Sequence, residues 1–454
     1  MITAIPSSTA FAAQMEESFR HLSATLIDGL RPGEHLMITL VGEQSQFIRF
    51  NQAKVRQGGM VTDGTLDLTL MAQERTHSYA IPLTGQEQAD IALASQAIAT
   101  LRQELPTLPL DPYQVIPQGS ATSHDVHHGQ LLEPEQAATA ILSSTGDIDF
   151  TGLYAGGTAV RGYADSVGQH HWFATESYTL DYSLFTPEGR AVKGIVAGDA
   201  WDEADYRDKL QRSAQQLARL QRPLRTIARG DYRTYLAPAA VADLLSMLSW
   251  GGVSEAALQQ GRSALAALQR GDKGLSDRIT LTENFTHGLV PRFNDIGAVA
   301  PMALPLIDRG HLVNTLISAR TAKEYGQQAN GAASHEGLRS PDLAAGTLPQ
   351  QSVLQTLDTG LYLSNIHYLN WSDRPSGRVT GMTRYACFWV ENGELVDPIE
   401  NLRFDESLYR FWGDKLLALT DTQEFIPEIG SYGNRELGGS WVPGMLVEDF
   451  TYTL

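Results

Sequence analysis

The sequence predicts an α+β fold: an N-terminal domain of helices on a mixed or antiparallel sheet, then a β-rich C-terminal domain. Three observations predict it. Residues 8–30 place Phe11, Met15, Phe19, Leu22, Leu26 and Ile27 on one helical stripe. Residues 62–73 alternate instead, with Leu66, Leu68 and Leu70 on one face and Thr65, Asp67 and Thr69 on the other, the pattern of a half-buried strand. Residues 360–400 read as three strands and two turns, the second turn being Asn392-Gly393, a strong hairpin signal because both central residues of a type I′ turn need positive φ.

Composition narrows the function classes. At 454 residues the chain exceeds one ordinary core, so two domains are expected, residues 1–225 and 226–454. No apolar run reaches the roughly 18 residues of a membrane helix. Residues 1–19 carry no basic n-region and turn acidic early, so no signal peptide is expected. A net charge of −18 argues against a broad nucleic-acid surface, which needs clustered Lys and Arg against phosphates. The single cysteine, Cys387, precludes an internal disulfide, and a reducing cytoplasm is the simplest compartment.

In order along the chain, Arg31-Pro32-Gly33 ends the first helix. Four strand-like runs follow, 35–41, 46–57, 62–73 and 77–83, with Gly58-Gly59 and Asp63-Gly64 as turn signals. Residues 87–104 form a helix and 105–133 a loop rich in Pro, Gly, Ser and His. A short helix, 134–144, precedes two strands, 147–164 and 170–185, around Gly168. Residues 202–221 form a polar-faced helix, and the linker 223–229 marks the domain boundary. Strand 231–236, helices 238–250 and 253–270, strand 280–283 and a final strand 445–452 complete the reading. Ala155-Gly156-Gly157 and Leu437-Gly438-Gly439 lack the context and Lys of a phosphate loop and read as turns. Tyr385–Val390 is apolar on both alternating faces, so that strand is covered on both sides, and Arg384 just before it needs a carboxylate or a ligand.

The order Gly360-Leu361-Tyr362, a polar turn, Thr380-Gly381, Phe388-Trp389-Val390-Glu391-Asn392-Gly393-Glu394 and Pro398-Ile399-Glu400 resembles the C-terminal domain of the TldD/PmbA family. Asp295, Gly297, Ile307, Gly310, Leu312, Leu316 and Ala322 also fall where that family's central signature wants them, while Asn330-Gly331 reverses its Gly-Asn. The helix, sheet, helix order of residues 8–104 and the hairpin around Gly168, with Asp165 in place of the usual Asn, resemble its N-terminal domain. The family has carried the label of modulator of DNA gyrase.

The resemblance implies a question about metal. TldD-type members are zinc metallopeptidases with H-E-x-x-x-H on the helix after the first C-terminal strand and a Cys near the C-terminus; PmbA (TldE) members share the fold without that site. Here the corresponding helix, 238–250, has Asp243 as its sole ionisable side chain. His335-Glu336 lacks a second His, and residues 432–454 contain no Cys. Cys387 reads as a packed hydrophobe. His124-Asp125-Val126-His127-His128 contains H-D-x-x-H, whose His124 and His128 would share a helix face as a weak metal pair, but Gly129 and the bracketing prolines favour a solvated loop. His170 and His171 alternate faces of a strand and cannot ligate one metal together. His287, His311 and His367 stand isolated.

No catalytic residue, metal or cofactor is therefore expected in this chain, and zinc is expected in a TldD-like partner. The resemblance implies a subunit that pairs with that partner, or with itself, to process or degrade unfolded peptides. Asn370, Asp373 and Arg384 are candidates for polar groups along a peptide groove, with a turn and an internal ion pair as the alternative. A stand-alone metal-dependent hydrolase using His124 and His128, and a non-enzymatic peptide-binding homodimer, are the competing functions.

Overall fold

A computed structural model describes residues 8–453. The N-terminal half opens with α1 (Ser8–Asp28), whose Phe11, Phe19, Leu22 and Leu26 are buried as the helical stripe requires. Then come β1 (His35–Asn51), β2 (Lys54–Ala72), β3 (Arg75–Pro82), α2 (Glu87–Glu104), β4 (Thr122–His127), α3 (Pro134–Leu142), β5 (Asp149–Asp165), β6 (His170–Phe185), β7 (Ala191–Gly198) and α4 (Glu203–Leu220). The seven strands form one sheet in the order β3-β2-β1-β5-β6-β4, with β7 also on β6. Every pairing is antiparallel except β4 on β6. Asp202 caps α4, its carboxylate accepting the Ala204 and Asp205 amides.

The C-terminal half contains β8 (Gly230–Leu236), α5 (Pro238–Ser246), α6 (Glu255–Gln259), α7 (Ala266–Gln269), β9 (Leu281–Asn284), β10 (Ala303–Asp308), β11 (His311–Leu312), α8 (Ala319–Tyr325), β12 (Pro341–Leu343), α9 (Val353–Leu357), β13 (Gly360–Asp373), β14 (Arg378–Glu391), β15 (Glu394–Pro398), β16 (Arg403–Ser407), β17 (Leu416–Pro427) and β18 (Gly439–Tyr452). These eleven strands make a second sheet, in which β14 pairs with β13, β15 and β16. The architecture is α+β, as the sequence predicts.

Long pairings overrule several local turn signals. Residues 35–57 are not two strands: β1 runs unbroken to Asn51, and the turn falls at Gln52-Ala53, both at positive φ. Gly58-Gly59 and Asp63-Gly64 lie inside β2, opposite Ile48, Phe47, Glu43 and Gly42. The glycine at 64 serves packing, since a Cβ there would meet Met15 and Leu83 at 3.1 and 3.2 Å. Ala155-Gly156-Gly157 likewise sits within β5. The predicted loop 105–133 contains β4, because parallel pairing with β6 organises a segment that has no apolar alternation of its own. β7, with little alternation, went unpredicted. The predicted helix 253–270 breaks into α6 and α7 at Gly261, which takes φ +68. Asn370 and Asp373 belong to β13 and not to the turn, which closes later, at residues 374–377.

The 360–400 hairpins form as read. Asn392 and Gly393 take φ of 53 and 77. β14 is covered on both faces: Cys387 joins the core beneath α5 with Leu245 and Met445, while Ala386 and Phe388 enter a second core with Phe150, Tyr182 and Leu210 from the N-terminal sheet and α4. That second core spans both halves of the chain.

Candidate functional site

The predicted groove residues come out on open surface. Arg384 is exposed; its Nη1 donates to His367 Nδ1 at 2.9 Å and its guanidinium lies over the Tyr385 ring at 4.8 Å. It meets neither a buried environment nor a carboxylate, because Tyr385 takes φ 63 and the backbone irregularity there turns the Arg384 side chain outward. Asn370 and Asp373 are exposed on the same hairpin, and Asp373 accepts only the Ser376 amide, at 3.4 Å. Asn370 pairs with Thr380 and Arg384 with Asn365, which separates the two by roughly 13 Å along the strand.

His124 and His128 do not share a helix face. His124 lies in β4 and contacts Glu16 at 3.1 Å; His128 follows the strand and faces Glu176 at 3.8 Å. Each is engaged by a different carboxylate. Glu336, beside His335, is a structural hub: its carboxylate accepts Ser254 Oγ at 2.6 Å and the amides of Ala256 and Ser318 at 3.0 and 2.8 Å, fastening α6 to α8. Those bonds hold its carboxyl below the usual range despite burial. His287 stacks on Trp441 with ring centres 4.8 Å apart. His171 is fully buried, bonded to Ser123 at 2.9 Å and stacked on Phe293.

Chemistry concentrates instead where α5 meets residues 428–438, the connection from β17 to β18. α5 forms because Pro238 suits a first helical turn and Val241, Leu244 and Leu245 supply a buried stripe. Asp243 lies beside that stripe. Burial pushes its carboxyl up to about 7, opposed by the Ile366 amide and Lys193 and reinforced by Glu428. Glu428 is itself raised by burial and then by Glu436. Asp243 thus senses Glu428, and Glu428 senses Glu436, eight residues further along the same connection. Beside them a cavity of about 500 Å³ opens between the two sheets, lined by Ser246, Ser249, Glu428, Glu436, Arg161 and Arg339 among others.

Its arginines are already committed. Arg339 donates to the carbonyls of Phe293 and Gly331 at 3.1 and 3.0 Å, while the buried Glu283 accepts the Arg339 and Ser340 amides. Arg161 is lowered to about 10 by burial and by Arg435. Arg435 is the latch of this region. At 3% exposure it enters the N-terminal sheet and donates to Ser177 O at 2.8 Å, Ser177 Oγ at 2.9 Å and Gly157 O at 2.9 Å. Its own amide donates to the buried Glu43 carboxylate at 2.9 Å. Gly157 is required here, since a Cβ would stand 2.1 Å from the Gln44 carbonyl oxygen.

This place offers carboxylates and serine hydroxyls, not the imidazole and thiolate set that suits a catalytic zinc. Among the described residues no three His, Cys, Asp or Glu side chains converge as a metal group. The donor set does not fit zinc. A carboxyl near 7 beside a second raised one can share a proton or accept a hydrogen bond from an amide or ammonium group. Sequence reasoning missed Glu428, Glu436 and Arg435. The available signal was one Arg and two Glu in a Gly-rich stretch, residues 428–439.

Comparison with known proteins follows this geometry. Residues 229–454 match the family model described as the PmbA/TldA metallopeptidase C-terminal domain. No curated protein matches the chain in sequence. Three solved structures share the fold. TldE from Thermococcus kodakarensis is 15% identical, with a TM-score of 0.73 over 97% of this chain and 100% of that one. A proposed modulator of DNA gyrase from Bacteroides thetaiotaomicron is 16% identical, with a TM-score of 0.76 over 96% and 98%. Another, from Thermotoga maritima, is 15% identical, with a TM-score of 0.72 over 97% and 100%.

Proposed function

We infer the function from one premise: through its C-terminal half, residues 229–454, this chain belongs to the PmbA/TldD family. It acts as a PmbA/TldE-like, non-catalytic subunit that pairs with a separate TldD-type zinc subunit and helps handle unfolded peptides. The observation that carries this reading is the donor set on α5. Asp243 and Ser246 stand on the helix where a TldD-type enzyme places imidazoles, and that helix carries neither a His nor a Glu. The likeness in fold to a TldE over nearly the whole chain agrees with membership of this family.

A cytoplasmic setting agrees with the single buried cysteine, and no described helix is long and apolar enough to cross a membrane. The acidic balance supports a peptide substrate over nucleic acid. The test combines elemental analysis of the untagged chain with a peptidase assay on an unstructured peptide, alone and with a TldD-type subunit added. No stoichiometric zinc, no cleavage alone and cleavage with the added subunit is the expected result. Zinc near one per chain, with chelator-sensitive activity of the chain alone, overturns the proposal.

A further inference from the structure

The two faces of the N-terminal sheet carry different chemistry. Successive residues of a strand point to opposite faces, so Glu43 faces the Arg435 segment while Gln44 faces α1. On the α1 face the β1–β2 register sets Gly42 against Gly64 and Gln44 against Thr62. The paired glycines make a floor without side chains, and the Met15 methyl lies over it: a Cβ at Gly42 or Gly64 would meet that methyl at 3.0 or 3.1 Å. Around this floor is a cavity of about 380 Å³, walled by Phe11, Met15, Phe19, Leu22, Leu66 and Leu83 among others. Packed cores leave few voids larger than a water, and this one has the size and apolar lining of a small-molecule site. Its polar groups are few. Gln44 lines it at 6% exposure, and its Nε2 meets no acceptor among the described residues. Directly across the β1–β5 pairing the Thr158 hydroxyl, 2% exposed, is also without a partner among them. Buried polar groups of this kind are normally paired, so two side by side point to a missing acceptor. Asp90 does not supply it, since its carboxylate already accepts the Thr84 and Gly85 amides at 2.7 and 3.2 Å. At the mouth the exposed Asp63 and Glu87 make the rim negative.

We propose that this cavity binds a neutral, largely apolar small molecule bearing one carbonyl (a ketone, ester or amide), whose oxygen accepts from Gln44 Nε2 and the Thr158 hydroxyl. Three features set that class. The apolar walls call for a ring or short hydrocarbon body, which gains by leaving water. The two unpaired donors call for one acceptor, and a carbonyl oxygen has two lone pairs to offer them. The acidic rim opposes entry of a carboxylate, sulfonate or phosphate. The flexible Met15 thioether over the glycine floor can shift to admit such a body without moving the backbone. The site lies on the sheet face opposite Arg435, so the proposal is independent of the zinc-subunit reading.

The test uses the full chain and two dyes. Prodan is a neutral naphthalene ketone whose emission moves to shorter wavelength in apolar surroundings and to longer wavelength when its carbonyl is hydrogen-bonded; anilinonaphthalene sulfonate is an anion of similar bulk. Fluorescence titration is expected to show saturable binding of one prodan per chain, with the sulfonate at least about tenfold weaker. Ser18→Trp, on the half-buried part of α1 that lines the cavity, fills it and is expected to abolish prodan binding without lowering the melting temperature. Gln44→Leu keeps the volume and removes the donor. It is expected to bind prodan about tenfold more weakly, the factor one hydrogen bond supplies, with bound emission at shorter wavelength. This variant replaces a buried amide by an apolar side chain of similar size, so it tests the donor even where S18W fails to fold. Absence of saturable prodan binding by the unaltered chain overturns the proposal. So does a sulfonate that binds as well as prodan, a folded S18W that still binds, or Q44L binding as tightly as the unaltered chain.

Discussion

Two segments of the C-terminal half reach into the N-terminal half, and they do so by opposite physics. β14 sends Ala386 and Phe388 into an apolar core with Phe150, Tyr182 and Leu210. Residues 428–438 send a charge, Arg435, through the sheet itself to two carbonyls, a hydroxyl and the neighbourhood of Glu43. The first contact is non-directional and tolerates a change of shape at the cost of some packing. The second depends on every partner, because a buried guanidinium or carbonyl left without its hydrogen bond has no solvent to turn to. Arg435 also fixes where Glu428 and Glu436 sit relative to Asp243, so the rigid contact is the one beside the candidate site.

The largest effect expected from this contrast is at the latch. Arg435→Ala should cost about 3–5 kcal/mol in urea unfolding, because it leaves the part-buried Ser177 and Gly157 carbonyls without their donor and removes the charge that favours the nearby Glu43 carboxylate. Phe388→Leu in the apolar contact should cost about 1 kcal/mol. Equal losses would dissolve the distinction. The next effect has the other sign. The Asp243 carboxyl rises from the ordinary 3.8 to about 7 on folding, so the folded state holds the proton more tightly. Its contribution to stability is most favourable below pH 4 and falls as pH rises toward 7. Asp243→Asn should therefore stabilise the protein at pH 8, by roughly 1–3 kcal/mol, and leave it nearly unchanged at pH 4. Unfolding curves at the two pH values check this; a loss at pH 8 would mean that the carboxylate has a cationic partner. The smallest effect belongs to the exposed hairpin. Arg384→Ala should change stability by no more than about 0.5 kcal/mol and leave any peptide handling intact. A large loss of peptide cleavage in the assembled system would restore Arg384 to a groove.

What the sequence revealed divides along the same line. Period-two alternation at Leu66, Leu68 and Leu70, the Asn392-Gly393 turn and the twofold-apolar run of β14 are local signals, and each produced its element. Signals that compete with long pairings misled: Gly58-Gly59 looks like a turn until β1 is laid beside it. The candidate site was the least legible part. Asp243, Glu428 and Arg161 carry no shared spacing, and only the packing of α5 against the β17–β18 connection brings their charges into range. Arg384, Asn370 and Asp373 drew attention because they interrupt an apolar stretch, yet polarity at a strand end is also what exposure selects.

The Arg435 contact also sets an order of events. Glu43 and the residue that answers it are 392 positions apart, so during synthesis the first sheet acquires its strands long before its cation exists. Until that late segment is delivered, the Glu43 carboxylate in β1 lacks the Arg435 amide that it accepts in the finished fold. Expressed by itself, the N-terminal half would keep all its strand pairings but lack the Arg435 bonds to Ser177 and Gly157, so it is expected to be less stable than in the full chain, and residues 428–438 added in trans are expected to restore part of the difference.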